Sequence, residues 1–401
     1  MIVAVGAGAA GLVAAAFASE PGRPVTLIEK TADGGRKILI SGGGRCNVLP
    51  AALEPERFVS SSPAHLVRRM LRAWPLEHQK QFFEDELGIP LKFEAADRKF
   101  FPKSDRARDV RDALVAFARR RGVEIRFGTT LERLESIDGG RWRVVTSNGN
   151  IDANAVILAT GGLSVPATGS DGAGLRIAES LGHTVHPLHA ALAPLVAEPP
   201  IHAGLSGVSL PVRIRAKRAN SVREIRGSFL FTHRGYSGPA VLDVSAFATG
   251  PAGSPDPLRV NWGDIPQSEW EALLSSGTGL ILNAVASKIP QRLAERLLFE
   301  AGVPLDRRFH DLRRTERIAL IDLLTAYPLR ISGDEGFKKA EVTGGGVALD
   351  EVDPVTLQSK LAPGIFMCGE MLDAYGPIGG HNFAWAWSTG RSVGQATARS
   401  T

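Results

Sequence analysis

Cysteine is nearly absent from this sequence. Only Cys46 and Cys368 occur in 401 residues, too few and too far apart for a disulfide framework. A reducing, cytoplasmic setting is the expectation that follows. Long apolar runs are missing as well. Residues 1–19 carry no charged side chain, but glycines interrupt them at Gly6, Gly8 and Gly11 and no positive segment precedes them, which argues against a signal peptide. The stretch is also too short and too broken for a membrane span, and nothing else in the chain resembles one. Internal repeats and long low-complexity tracts are lacking. His183, His186 and His189 are spaced at three residues, yet Pro187 breaks any helix there and no cysteine or carboxylate cluster accompanies them. No metal site is expected.

What is present reads as a soluble, multi-domain chain. Hydrophobic residues make up 44% and charged residues 22%, enough apolar material for two or three cores. The net charge of +5 permits an anionic partner, although arginine-rich helix faces account for it equally well.

Along the chain, residues 2–5 form an apolar run suited to a buried parallel strand. An alanine-rich helix over 10–19 and a second strand over 25–28 complete one βαβ unit. Residues 64–87 read as two helices, 91–101 as a short hairpin, and 107–121 as an amphipathic helix with Val110, Leu114, Phe117 and Ala118 on one face. A strand over 123–127 leads into a meander turning at Gly139-Gly140 and Asn148-Gly149. From about 189 the texture changes. Short strands dominate to about 262, proline and glycine cluster near 250–257, and helical patterns fill about 266–325. The expected architecture is α/β: a Rossmann-type domain from 1–188 and 342–401, interrupted by a β-rich part (189–262 and 326–341) and a small helical part (263–325).

Gly6-x-Gly8-x-x-Gly11 follows the first strand directly and opens the first helix. In a dinucleotide fingerprint the first glycine allows the turn, the second lets a pyrophosphate approach the backbone, and the third lets helix and strand pack closely. Ala9 and Ala10 belong to the helix N-terminus, whose free N–H groups favour phosphate. Glu29 ends the second strand, where a carboxylate accepts hydrogen bonds from ribose hydroxyls and repels a 2′-phosphate; Lys30 follows it. Further segments select FAD over NAD. Gly35 to Asn47 offers Arg36, Lys37, Ser41, Gly42, Gly43 and Asn47 to the other side of a pyrophosphate. Thr160 and Gly161 end another strand, and Gly369-Glu370 ends a strand near the other end of the chain, where Glu370 can reach a ribityl hydroxyl. A cofactor held from both ends of the chain is long, as FAD is. Gly380, His381, Asn382 and Phe383 open a helix running to about 398, whose N–H groups suit the N1–C2=O edge of a reduced flavin. A plain helix cap by Asn382 is the alternative.

Four longer motifs carry a resemblance over nearly the whole chain: Gly42-Gly-Gly-Arg-Cys-Asn47, Phe231-Thr-His-x-Gly-x-Ser-Gly-Pro239, Val342-Thr-Gly-Gly-Gly346, and Gly369-Glu-x-Leu-Asp-x-x-Gly-Pro-x-Gly-Gly-His-Asn382. The chain resembles the YhiN/BaiN-like family of FAD-dependent oxidoreductases, within the glutathione-reductase-type flavoprotein superfamily. The resemblance implies an FAD domain split by a β-barrel-like domain and a small helical domain. It also implies a link to reduction of a ribosomal RNA uridine to dihydrouridine. His381 stands where that family usually has Tyr, and Val48-Leu49-Pro50 replaces a commoner Thr-Asn run.

The expected chemistry has two halves. NAD(P)H, bound transiently, reduces the flavin, and the flavin then reduces an electrophilic double bond. Gly169-x-x-Gly172-x-Gly174 lacks the strand context of a second nucleotide fingerprint. The insertion meets the first domain near 187–192 and 340–345, which places substrate in the cleft between domains. Asn47, His381 and Cys46 would form the flavin side and the segment from His233 to Pro239 the opposite wall. His381 is the expected proton donor, because imidazole titrates near neutral pH. Cys46 is either a redox-active thiol or an inert buried one. Cys368 reads as a small residue packing beneath the cofactor. Substrate is a small molecule or structured RNA, and the remaining alternative is a non-catalytic binding module in which flavin only stabilises the fold. Basic segments at 64–72, 106–121 and 291–317 could face RNA, although aromatics for base stacking are scarce in them.

Overall fold

A computed structural model describes residues 1–95, 98–218, 221–251 and 257–400. They divide into two compact units, one made of Met1–His189 with Val342–Thr401 and the other of Ala190–Glu341. Most of the proline- and glycine-rich stretch near 250–257 lies outside the described residues.

The first unit opens with β1 (Ile2–Val5), α1 (Ala9–Ala18) and β2 (Val25–Glu29). All four side chains of β1 are buried, as a strand flanked on both sides must be. A short helix, α2 (Arg36–Ile40), and the two-residue strand β3 (Leu49–Pro50) precede α3 (Ala64–Arg72) and α4 (Leu76–Gln81). Helix α4 continues as a π-helical turn over Phe82–Glu86. The hairpin of β4 (Leu91–Glu94) and β5 (Lys99–Pro102) takes β3 as a third strand. Next come α5 (Ala107–Arg120), β6 (Glu124–Phe127) and a meander of β7 (Leu131–Ile137), β8 (Arg141–Thr146) and β9 (Gly149–Ala153). Then β10 (Ala155–Leu158), α6 (Ala173–Ser180) and β11 (Val185–Ala191) close the first pass.

In the second unit, β12 (Leu195–Val196), β13 (Ser209–Arg218), β14 (Ser221–Phe231) and β15 (Gly235–Ser237) are followed by a helix, α7 (Pro239–Thr249). Sequence texture gave only strands here. Its short apolar run is ambiguous between strand and helix, and Pro239 at the first turn is what starts the helix. After β16 (Arg259–Trp262) come α8 (Gln267–Ser276), α9 (Ile281–Ala286), α10 (Gln291–Glu300) and α11 (Arg314–Thr325), then β17 (Tyr327–Pro328) and β18 (Gly333–Asp334). The strands form one antiparallel sheet in the order β17-β16-β13-β14-β15-β12-β18. Among the described residues this is the β-rich inserted part, seven strands in one antiparallel sheet. Its core is aromatic, built on Phe229, Phe231, Tyr236, Trp262 and Trp270. Buried His202 lies 3.0 Å from the Tyr236 hydroxyl and 3.1 Å from that of Tyr327, which donates to Glu300 of α10.

The chain then re-enters the first unit as β19 (Val342–Val347), β20 (Ile365–Met367) and α12 (His381–Ser400). Strand β20 completes a five-stranded parallel sheet ordered β20-β10-β1-β2-β6. Helix α12 lies directly on α1, with glycines in the contact. A methyl group added at Gly390 would stand 2.5 Å from the Ala10 carbonyl oxygen, and one at Gly394 2.5 Å from that of Ala14. The alanines of α1 and these glycines let the two backbones nearly touch, which sets Gly390, in the middle of α12, against the first turn of α1. No helix among the described residues is long and apolar enough to cross a membrane.

Candidate functional site

The turn from β1 into α1 sits at the carboxyl end of the central strand, the usual ligand edge of an open parallel sheet. Gly6 has φ +98°, and a Cβ on Gly11 would lie 1.8 Å from the Gly6 carbonyl oxygen, so neither position accepts a side chain. Gly8 differs. It has φ −81° and ψ −169°, an ordinary extended conformation, and a Cβ there would meet nothing within 4 Å. The space beside Gly8 faces the free N–H groups of the first turn of α1, including those of Ala9 and Ala10, and suits an anionic group.

Glu29 stands next to this turn. One carboxylate oxygen accepts from the Ala7 N–H at 2.8 Å, the other from the Thr31 N–H and hydroxyl, both at 2.8 Å. The carboxylate therefore points along the wall of an open pocket formed by Val5, Gly6, Glu29, Lys30, Thr129, Thr130, Thr160 and Asp171, with acceptor capacity left over. Lys30 pairs with Asp171 at 2.6 Å on the rim. Gly169, Asp171 and Ala173 line this same pocket, so the start of the second glycine cluster belongs to its wall. Thr129, Thr130 and Asp171 are functional candidates that sequence reading missed. The loop after β6 carries no motif, and Asp171 sat unremarked inside the glycine cluster.

The side chains expected to hold a pyrophosphate from the far side are engaged elsewhere. Arg36 donates to Asp33 at 2.7 Å, and the Ser41 hydroxyl donates to the Ile38 carbonyl at 2.8 Å. Lys37 reaches Ser164 and Glu370, each at 2.6 Å. The reason is topological: α2 turns these residues toward protein partners, and Lys37 meets a carboxylate brought in by the segment after β20. What remains for a ligand is backbone around Gly42 and Gly43, and a Cβ on Gly43 would meet nothing within 4 Å.

Glu370 is likewise a hub. It also accepts from the Ser164 hydroxyl at 2.6 Å, the Thr343 N–H at 3.0 Å and the Thr343 hydroxyl at 2.9 Å. Burial alone would raise its pKa, but the Lys37 charge and these hydrogen bonds outweigh it and hold the carboxyl below the usual range. Glu370 thus ties β19, α2 and the loop after β10 together behind Gly161, and direct ligation of a ribityl chain is not its main work. Ser164 and Thr343 are missed partners. Thr343 lies in a quoted motif, while Ser164 has no sequence signal.

The third region is the turn before α12. Gly380 has φ +95°, and a Cβ on it would stand 2.6 Å from the Leu49 carbonyl carbon. The Val48 carbonyl accepts from the Trp387 indole at 3.1 Å, and β3 pairs with β5. The unusual Val48-Leu49-Pro50 run therefore braces α12. Asn382 bonds the Gly376 N–H at 2.9 Å and the Gly376 carbonyl at 3.0 Å, so it fastens the loop ahead of the helix and does not cap α12. Phe383, half-buried, stacks on the core residue Trp387 with ring centroids 5.3 Å apart. Gly369 is fixed to α12 through both its backbone groups, by Thr389 and by Trp385.

Two buried polar atoms here have no hydrogen-bond partner, Asn47 Oδ1 and His381 Nε2. His381 Nδ1 lies 3.3 Å from the Ile378 carbonyl, and the ring packs edge-on to Phe58. Burial, assisted by the Arg57 charge, lowers the His381 pKa to about 4. The expectation of a ring titrating near neutral pH is therefore corrected: His381 is neutral at pH 7. Cys46 is also corrected as a reactive thiol. It is fully buried, and desolvation pushes its pKa up to about 12. Cys368 is equally buried and equally raised. His183 is occupied by Glu351 at 3.0 Å and Ser359 at 2.7 Å, and His233 is an exposed turn residue of the second unit.

A buried neutral histidine makes acid costly. The folded ring binds its proton only near pH 4, whereas an unfolded one does so at about 6.5. The unfolded state therefore holds more protons in that window, and stability falls as pH drops from about 6.5 toward 4. His381→Tyr is expected to flatten this part of the melting-temperature profile. Identical slopes in both proteins would show that the ring is already hydrated.

The profile of the HI0933-like protein Rossmann domain matches residues 1–396. The chain belongs to the HI0933-like Rossmann family. This HI0933-like protein is 33% identical over 403 residues to an Escherichia coli K12 protein named ribosomal RNA dihydrouridine synthase, covering 98% of this chain and 96% of that one. It is 31% identical over 406 residues to a Clostridium scindens protein named 3-dehydro-bile acid delta(4,6)-reductase, covering 98% of both. Among solved structures, the 3-ketosteroid delta1-dehydrogenase of Sterolibacterium denitrificans superposes with a TM-score of 0.53 at 13% identity, over 100% of this chain and 99% of that one. That likeness shows the fold. With the family comes the class of chemistry: this HI0933-like chain is an FAD-dependent oxidoreductase, and FAD fits the open backbone beside Gly8, the Glu29 pocket and the unpartnered atoms of Asn47 and His381.

Proposed function

We propose that this oxidoreductase draws electrons from NAD(P)H and saturates an electron-poor carbon–carbon double bond. The observation that carries the reading is a buried, unpartnered His381 Nε2 at the helix N-terminus opened by Gly379 and Gly380, with a second such atom, Asn47 Oδ1, beside Gly42. Both named relatives belong to this chemistry, since forming dihydrouridine and reducing a delta(4,6) bond each remove unsaturation. When bound, FAD would supply a hydride acceptor and donor at N5. The chain's part is electrostatic and positional. The free N–H groups opening α12 favour negative charge nearby. A neutral His381 offers a hydrogen bond from a fixed ring and does not act as an imidazolium acid. Asn47 orients whatever donor meets its Oδ1. The proton for the second carbon then comes from substrate-side solvent or a residue other than His381. With the start of the Gly169–Gly174 cluster in the wall of the first pocket, the reductant visits transiently and has no domain of its own. Buried Cys46 and Cys368 fit a reducing, cytoplasmic setting.

Anaerobic mixing with NADH and with NADPH tests the first half. Bleaching of the flavin band by either is expected, and failure of both would sink the nicotinamide step. A second reading makes the substrate a uridine in structured RNA. The 33% and 30% identical relatives named ribosomal RNA dihydrouridine synthase favour it, as does an exposed basic face described next. Mapping dihydrouridine in ribosomal RNA with and without the gene decides between RNA and a small molecule.

A further inference from the structure

We propose that the exposed face of α3 formed by His65, Arg68, Arg69 and Arg72 is a docking surface for the phosphate backbone of structured RNA. The inference rests on the RNA reading above. These residues fall at i, i+3, i+4 and i+7, a single stripe about 10 Å long. Leu66, Val67, Met70 and Leu71 take the opposite, buried face. Helix α3 contains no acidic residue.

A continuous stripe separates this helix from the other basic segments, where, among the described residues, unpaired arginines such as Arg108, Arg119 and Arg314 are interspersed with paired ones. In the 106–121 segment, Arg106 pairs with Asp109, Arg111 with Asp33 and Asp112, and Arg120 and Arg121 donate to backbone carbonyls. In 291–317, Arg296 pairs with Glu300 and Arg307 with Glu316, while Arg292 donates to the carbonyls of Gly204 and Ser206. Arg68, Arg69 and Arg72 are exposed, and among the described residues no acidic side chain pairs with them. The helix dipole favours Arg69 and Arg72 near the C-terminal end, but it does not call for four basic residues and no acidic one. A row of unpaired cations suits a polyanion, and guanidinium forks match phosphate oxygens.

The stripe is also rigidly tied to the candidate site. The Asp373 carboxylate accepts from the Ser61 N–H at 2.7 Å and the Ser60 hydroxyl at 3.1 Å, just ahead of α3. The Ser388 hydroxyl of α12 donates to the Met70 carbonyl at 2.7 Å. Helix α3 therefore rides on the segment that carries His381, and a phosphate backbone held there is registered against that site.

The test compares two triple variants of the full-length, flavin-loaded protein. One is Arg68→Gln/Arg69→Gln/Arg72→Gln. The control is Arg106→Gln/Arg126→Gln/Arg143→Gln, which removes equal charge from arginines paired with Asp109, Glu124 and Asp152. Binding is read by fluorescence anisotropy of a labelled RNA hairpin with a uridine-containing loop, across a salt series. The α3 variant is expected to bind roughly tenfold or more weakly, with a log–log salt slope smaller by about 2 to 3, at unchanged flavin content and melting temperature. Equal weakening in the control, or no change in the α3 variant, overturns the proposal. Tighter binding of phosphatidylglycerol vesicles than of the hairpin through the same arginines also overturns it. The two readings fail separately. If deleting the gene abolishes a dihydrouridine and the α3 variant restores it as well as wild type, the docking surface falls and the RNA substrate stands. If deletion leaves every dihydrouridine in place while hairpin binding still depends on α3, the docking surface stands and the substrate reading falls.

Discussion

Gly8→Val is expected to purify as a folded, colourless protein. The backbone at Gly8 is extended and a Cβ there meets nothing within 4 Å, so valine enters the apoprotein without strain. The same space lies at the N-terminal end of α1, where the pyrophosphate of FAD is proposed to sit. An isopropyl group in it would cost about 3 kcal/mol or more in cofactor binding, roughly a hundredfold. Flavin absorbance per protein and a melting curve without added cofactor separate the effects. Gly11→Ala is the contrast. Its methyl would lie 1.8 Å from the Gly6 carbonyl oxygen, so that variant should lose fold and flavin together. Full flavin occupancy in Gly8→Val would move the pyrophosphate away from this turn.

Lys37→Met should be the most destabilising change that leaves the turn intact. It strips Glu370 of its counter-ion at a position where the two side chains retain only 25% and 19% of their exposure. An uncompensated, mostly buried carboxylate costs about 3 kcal/mol, at the lower end for buried pairs because some solvent still reaches it. Thermal melts should fall by several degrees, and Lys37→Met/Glu370→Gln should recover much of the loss. The pH dependence has a definite sign. Glu370 is held below its ordinary 4.5, so its contribution is complete above that value and is lost as pH falls through the lower folded pKa. In Lys37→Met the loss is already present at neutral pH, and the wild-type acid transition should shrink correspondingly. An unchanged melting temperature in Lys37→Met would mean that Ser164 and Thr343 satisfy the carboxylate without the cation.

The elements of the flavin domain were legible because local chemistry decides them. The run Ile2–Val5, the glycines at 6, 8 and 11, and Glu29 specify strand, turn and nucleotide edge within thirty residues, and the observed β1, α1 and β2 follow them. What was not legible depends on partners distant in sequence. Nothing around Lys37 announces that its ammonium meets Glu370, or that Ser164 and Thr343 converge on the same carboxylate. His381 was misjudged for the same reason. A free imidazole titrates near neutrality, but its burial beside Phe58 and Arg57 is set by the loop 54–58, which carries no recognisable motif. The helix at Pro239–Thr249 was hidden by a short apolar run that length and periodicity do not assign to strand or helix.

The contact between α1 and α12 has a consequence for biogenesis. The alanine face of α1 is covered by Gly390 and Gly394, which a ribosome adding about 5–20 residues per second delivers tens of seconds after α1 itself. During that interval β1, α1 and β2 have their turn and fingerprint but no lid, while residues 190–341 already possess a complete core of their own. The inserted unit is thus positioned to fold first, and the flavin domain to close last. A nascent chain stalled before residue 381 should expose an apolar, alanine-lined groove, a natural target for a chaperone and a poor one for FAD.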